Sequence, residues 1–346
     1  MKTATHFNLT LLSKHRSFVM GIAILWVMWF HTDITSSIPF ITFFREIGYG
    51  GVDLFILLSG IGAFFSLQKN SSSASFMKRR ALRIMPSYYP FIILWLIMIK
   101  ITGELYGTEI IGNLTMAGWW CNLRNQFNWY TNAIWFFYLL APVIVEIILS
   151  VPNNKKRLIN LCLLLCASFL FSMTFWHKQL LIAFARMPLF ILGIGIGYFI
   201  KNSLNNQKQN SVWNRTIILF VNLTMIIGFL LLYIFKTKFS GDMWLYGLWW
   251  YPFILIAPGL ALDLSFAAEI LEKNFLSNFI CKGIRQLGNS SFELFLIHIA
   301  VFEFLKSRYT LSAFHWIITI IMVSICSLLY RKLILLLSSR LTTHIS

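Results

Sequence analysis

Long, nearly uncharged apolar blocks constrain this chain more than any other feature. Ile217 to Phe235 holds no charged residue, Phe91 to Ile101 only Lys100, and Ile317 to Leu337 only Arg331 and Lys332. Blocks of roughly 17–25 such residues match the hydrocarbon thickness of a bilayer. There the backbone can satisfy itself only as helices or as a closed barrel. The blocks lack the inside/outside alternation of barrel strands, about ten residues at a time. The expected fold is therefore all-α, a polytopic integral membrane protein. Composition agrees, since 58% of residues are hydrophobic and only 12% charged, about half the charged share of a soluble domain. Ten spans are predicted, at 17–35, 47–68, 86–103, 130–150, 158–176, 181–200, 213–235, 244–264, 290–305 and 311–335.

A net charge of +17 raises the question of nucleic acid, but its placement argues for topology. With a cytoplasmic N-terminus, 20 of the 29 basic residues fall in cytoplasmic segments. They are Lys2, Lys14 and Arg16; Lys69, Lys78, Arg79, Arg80 and Arg83; Lys155, Lys156 and Arg157; Lys201, Lys208 and Arg215; Lys273, Lys282 and Arg285; and Arg331, Lys332 and Arg340. This regular alternation obeys the positive-inside rule and puts both termini in the cytoplasm. The lipid bilayer is the partner it implies, in a multi-pass cell (inner or cytoplasmic) membrane location, and no nucleic acid is expected. The first span has the basic flank and small residues of a cleaved leader, yet removing it would break the alternation.

The five cysteines are scattered. Cys162 and Cys166 share a helix face without a His or carboxylate nearby, so neither a metal site nor a structural disulfide is expected. No internal repeat or nucleotide-binding loop is visible, and the chain reads as a single transmembrane domain over 1–346.

The basic segment "SFMKRRALRIMPSYYP" joins the second and third spans. Its pattern is helical up to Pro86, which suits the first turn of the next span. Two readings stand for Arg79, Arg80 and Arg83. They anchor anionic head groups, or they clamp a soluble anion, since guanidinium forks suit phosphate. In "WVMWFHTD", His31 ends an apolar span. It reads as an interface residue, a proton relay, or a general base, imidazole being the side chain suited to proton removal near neutral pH. Asp33, two residues on, need not face it. His298 lies inside the ninth span with Glu293 five residues earlier, and ionisable groups at such depth read as functional or as packed and hydrogen-bonded. Trp129, Trp135, Trp249 and Trp250 belong to an interfacial aromatic belt or form stacking platforms for a sugar acceptor. Ser59 and the glycines at 193, 195 and 197 read as close helix packing.

Several stretches, in order, resemble the membrane acyltransferase-3 family, which includes bacterial polysaccharide and lipopolysaccharide O-acetyltransferases. "RRALRIMPSY" is similar to its RRxxRIxPxY signature, and "GIAILWVMWFH" and "GGVDLFILLSG" to its first two spans. "WYTNAIWFFYLLAPVI", "MPLFILGIGIGYFI" and "LGNSSFELFLIHIAVF" resemble later ones, so the likeness runs from about 15 to 335. The resemblance implies transfer of an acyl group, acetyl by preference, from cytoplasmic acyl-CoA to a hydroxyl of a surface polysaccharide or its lipid-linked precursor. It makes His31 the base, Arg79, Arg80 and Arg83 the acyl-CoA site, and acyl-CoA a substrate rather than a resident cofactor. It also allows contact with polysaccharide-synthesis machinery. One departure stands out. The family carries an arginine eleven residues before the histidine, about 16 Å along a helix, where this chain has Met20. Either Arg16, one turn below at about 22 Å, or another cation takes its place. A transporter or flippase relaying protons through His298 and Glu293, or a non-catalytic scaffold, is the alternative reading.

Overall fold

A computed structural model describes residues 8–205 and 210–343, so Lys2 and Lys208 lie outside the described residues. Fifteen helices occur among the described residues, with no strand. In chain order they are α1 (Leu11–Lys14), α2 (Arg16–Phe30), α3 (Pro39–Glu46), α4 (Gly50–Lys69) and α5 (Ser73–Thr102). Next come α6 (Gly107–Thr115), α7 (Trp129–Leu149), α8 (Asn154–Met173), α9 (Leu181–Phe184) and α10 (Met187–Asn205). The last are α11 (Asn210–Lys238), α12 (Pro252–Leu271), α13 (Phe275–Asn289), α14 (Ser291–Lys306) and α15 (Ala313–Thr343).

Eight helices are long and apolar enough to cross a membrane, and α13 with α14, bent by 74° at their junction, adds a ninth if the pair counts as one span. Helix α2, at 15 residues, is about 22 Å long and shorter than a typical hydrocarbon core of about 30 Å.

Three boundaries differ from the sequence expectation. The segment from Ser73 to Thr102 is one 30-residue helix with Pro86 and Pro90 inside it, not a basic helix that stops before Pro86. A proline in a helix interior forfeits one backbone hydrogen bond, which transmembrane helices tolerate where other groups take over the freed polar atoms. The carbonyls freed here are those of Leu82 and Pro86; beside them the Tyr330 hydroxyl donates to the Ser87 carbonyl at 2.7 Å and ties α15 to α5. The eighth span, α12, starts at Pro252 rather than near 244. Residues 240–251 form turns, with Gly247 at φ +70°, and Pro252 takes the first helical position, where its missing N–H costs nothing. The sixth span is interrupted at Ala185 and Arg186, between α9 and α10.

The chain divides into two compact units, Met1–Val19, Asp53–Met77 and Trp129–Asn278 forming the first, and Met20–Val52, Lys78–Asn128 and Phe279–Ser346 the second. In the first, α4 crosses α10 so closely that a Cβ on Gly60 would run into the Phe190 carbonyl, and one on Gly193 into that of Leu57. This is the small-residue packing of membrane helices, as the sequence suggests for Gly193. Buried His15 sits with Nε2 2.7 Å from Glu269 Oε2, tying α1 to α12. In the second unit a Cβ on Gly21 would meet the Ile284 carbonyl, so α2 and α13 also touch backbone to backbone. The Trp26 indole donates to the Phe44 carbonyl at 2.7 Å and holds α3 against α2.

Candidate functional site

The second unit brings His31 and His298 together, with ring centroids 5.5 Å apart and planes at 60°. His31 ends α2, its N–H bonded to the Val27 carbonyl at 3.1 Å, and its ring is half-buried. The chain just after it is pinned twice. Arg45 donates to the Thr32 carbonyl at 2.8 Å, and Lys306 pairs with Asp33 at 2.8 Å. Asp33 therefore serves α14 rather than the imidazole. Both partners of that pair are well exposed, so it contributes at most about 1 kcal/mol, and its main effect is to fix direction.

His298 is fully buried in α14. Its Nδ1 lies 2.8 Å from the Leu294 carbonyl, and Phe295 and Phe302 pack edge-on against the ring. Five residues before it, or about 7.5 Å along the helix, Glu293 is also buried. The Ser87 hydroxyl donates to Glu293 Oε1 at 2.6 Å, and Arg331 Nη1 stands 3.9 Å from Oε2. A buried carboxylate needs such company, because desolvation without partners costs several kcal/mol.

On α5, Ser87 lies seven residues past Arg80, two helical turns or about 10 Å on the same face. Arg80 is buried and Arg83 exposed, so the three arginines do not present one face. Arg80 points the same way as Ser87. Within this unit, then, Ser87 is bonded to Glu293, His298 neighbours His31 and Asp33 pairs with Lys306, with Glu293 and His298 about 140° apart around α14. Ser87, Arg331 and Tyr330 were not among the residues the sequence singled out. A hydroxyl and two residues at a span end carry no marker of their own until α5, α14 and α15 pack.

The first unit holds the remaining expected residues. A Cβ on Gly62 would lie 3.3 Å from Cζ, Nη1 and Nη2 of Arg16, so the guanidinium rests on the bare backbone of α4. Trp129 and Trp250 give ring faces to Arg186, whose Cζ lies 4.8 and 5.2 Å from their centroids. Trp250 is 3% exposed, while Trp135 and Trp249 are half-buried. Arg186 Nε also lies 3.0 Å from Asp53 Oδ1, both side chains being 1% exposed. Asp53 and Arg186 escaped the sequence reading although the signal was there: opposite charges inside apolar spans must pair.

Apolar membrane-crossing helices that hold two neighbouring imidazoles and a buried carboxylate point to a membrane enzyme or carrier. The chain decides between these, since residues 19–331 match the acyltransferase domain of the acyltransferase-3 family, and it belongs to that family. It is a membrane acyltransferase. No curated protein and no solved structure is similar enough to the chain to count as a match.

Proposed function

We propose that the protein moves an acyl group, acetyl by preference, from cytoplasmic acyl-CoA to a hydroxyl of a cell-surface polysaccharide or its lipid-linked precursor. In this reading α2 and the bent α13–α14 pair also cross, which makes ten spans. The distribution of lysine and arginine supports both termini on the cytoplasmic side of the cell membrane. The observation that carries the reading is the pair of histidines from α2 and α14, on whose second helix Glu293 is bonded by Ser87 of the arginine-bearing α5, all within one unit. In this reading His31 removes the acceptor's hydroxyl proton. The oxygen then attacks the thioester carbonyl, the C–S bond breaks, and the thiolate leaves with the proton. Neutral imidazole suits the first step near pH 7, where general-base catalysis contributes about 100- to 10,000-fold.

Arg80 and Arg83 serve the donor's phosphates and adenosine end, with Arg80 on the inward face the stronger contributor. Trp135 and Trp249 remain as platforms for a sugar, and polysaccharide-synthesis machinery is the partner that would supply it. Mass spectrometry of surface glycans from cells with and without the protein tests the reaction, an acyl increment that disappears with the protein being the expected result. An unchanged glycan alongside altered solute transport would favour a carrier instead. For the donor, Arg80→Gln with Arg83→Gln should raise the KM for acetyl-CoA while leaving membrane abundance intact, and Lys replacements should rescue in part.

A further inference from the structure

We propose that His298 is a positioning residue that fixes His31 in the tautomer able to act as a base; this rests on the acyl-transfer reading above. The argument begins at the Leu294 carbonyl. A carbonyl only accepts, so the 2.8 Å contact requires the proton on His298 Nδ1. In a neutral ring Nε2 then carries a lone pair and can only accept. That nitrogen is buried and has no hydrogen-bond partner among the described residues. Buried polar atoms in this state are uncommon in folded proteins, and each one asks for a partner.

Three rings stand against His298, those of Phe295, Phe302 and His31. The phenylalanines offer only C–H edges, whereas His31 offers an N–H. With centroids 5.5 Å apart and planes at 60°, the rings are direct neighbours; no hydrogen bond joins them as they stand, and a turn of the half-buried His31 ring brings an N–H toward Nε2. A His31 N–H turned toward His298 Nε2 puts its lone pair on the other nitrogen, the one free to meet an acceptor hydroxyl. That nitrogen takes the hydroxyl proton as the new C–O bond forms, and the departing thiolate receives it as the C–S bond breaks. Throughout, His298 keeps its own proton and accepts one hydrogen bond, stronger while His31 is an imidazolium. Water could not hold the ring as firmly, because His298 is anchored from behind by its own helix.

The test uses membranes carrying the full-length protein and its native acceptor, with acetyl-CoA as donor and free thiol release as readout. His298→Leu removes the acceptor atom. His298→Gln places an amide oxygen at the same reach. The Leu variant should lose at least about tenfold in kcat with the KM for acetyl-CoA little changed, and the Gln variant should recover most of it. On a His31→Gln background the Leu change should cost nothing more, since the two residues act as a unit. Should the Leu variant fail to accumulate, His298→Asn, whose amide falls short of the ε position, replaces it. Equal losses in the Leu (or Asn) and Gln variants would overturn the tautomer role and leave His298 as packing. Wild-type thiol release from His31→Gln alone would instead overturn the assignment of His31 as base.

Discussion

Replacing Asp53 with alanine strips the Arg186 guanidinium of its anion at a depth water does not reach. Both side chains are 1% exposed and Nε lies 3.0 Å from Oδ1. Removing one member of so buried a pair costs about 3–5 kcal/mol, because the other charge stays desolvated. The rings of Trp129 and Trp250, at 4.8 and 5.2 Å, still face the cation and offset part of this, each by about 0.5–2 kcal/mol. The expected loss is about 2–4 kcal/mol, or roughly 3–6 °C in Tm for a chain of 346 residues, read by tryptophan fluorescence of the detergent-solubilised protein. Asp53→Leu combined with Arg186→Met removes both charges and keeps the volume, and should regain most of the loss. A single Asp53→Ala variant as stable as the parent, or a double variant less stable than the single, would refute the reasoning.

Gly193→Val drives a side chain into the Leu57 carbonyl; overpacking of this kind costs about 1–3 kcal/mol or more, and membrane abundance should fall sharply, whereas unchanged abundance would mean α4 and α10 can separate. Reporters fused after residues 155, 205 and 340 should signal cytoplasm and those near 122 and 240 the outside, and reversal at two sites would overturn the ten-span topology. In the segment before α7, Glu109 Oε2 accepts the Tyr106 N–H at 3.0 Å and the Asn125 amide at 3.2 Å, and the first of these bonds does most to hold its carboxyl below the usual carboxylate range. A depressed value stabilises the fold above the unfolded-state pKa and is lost as pH falls through the folded one. The protection factor of the Tyr106 amide, its exchange relative to the intrinsic rate at each pH, should therefore fall on acidification, and a flat profile would deny the cap.

What the sequence made legible follows from physics that acts locally. Apolar blocks and alternating lysines and arginines gave the helices and their expected orientation, because a bilayer leaves the backbone few choices. His31 stood out as a titratable ring at a span end, and His298 and Glu293 as charges out of place. Their meeting was not legible, since nothing in the spacing of 31 and 298 says that α2 and α14 face each other. Ser87 and Tyr330 gain their roles only through the unbroken passage of α5 past Pro86, and a motif that places Pro86 at a helix start hides it. Trp250 read as a belt residue or a sugar platform because aromatic residues near a span end carry no sign of a buried partner. Its ring is given to Arg186, a partner 64 residues away in sequence.

The central claim is that His31 accepts the proton in acyl transfer. Glycan acylation in membranes carrying His31→Gln tests it most directly, because glutamine keeps a hydrogen-bonding side chain and removes the base. With protein abundance and acetyl-CoA binding unchanged, the account predicts a rate at least about 100-fold below the parent. Acylation at the parental rate would contradict it and make His31 an interface residue.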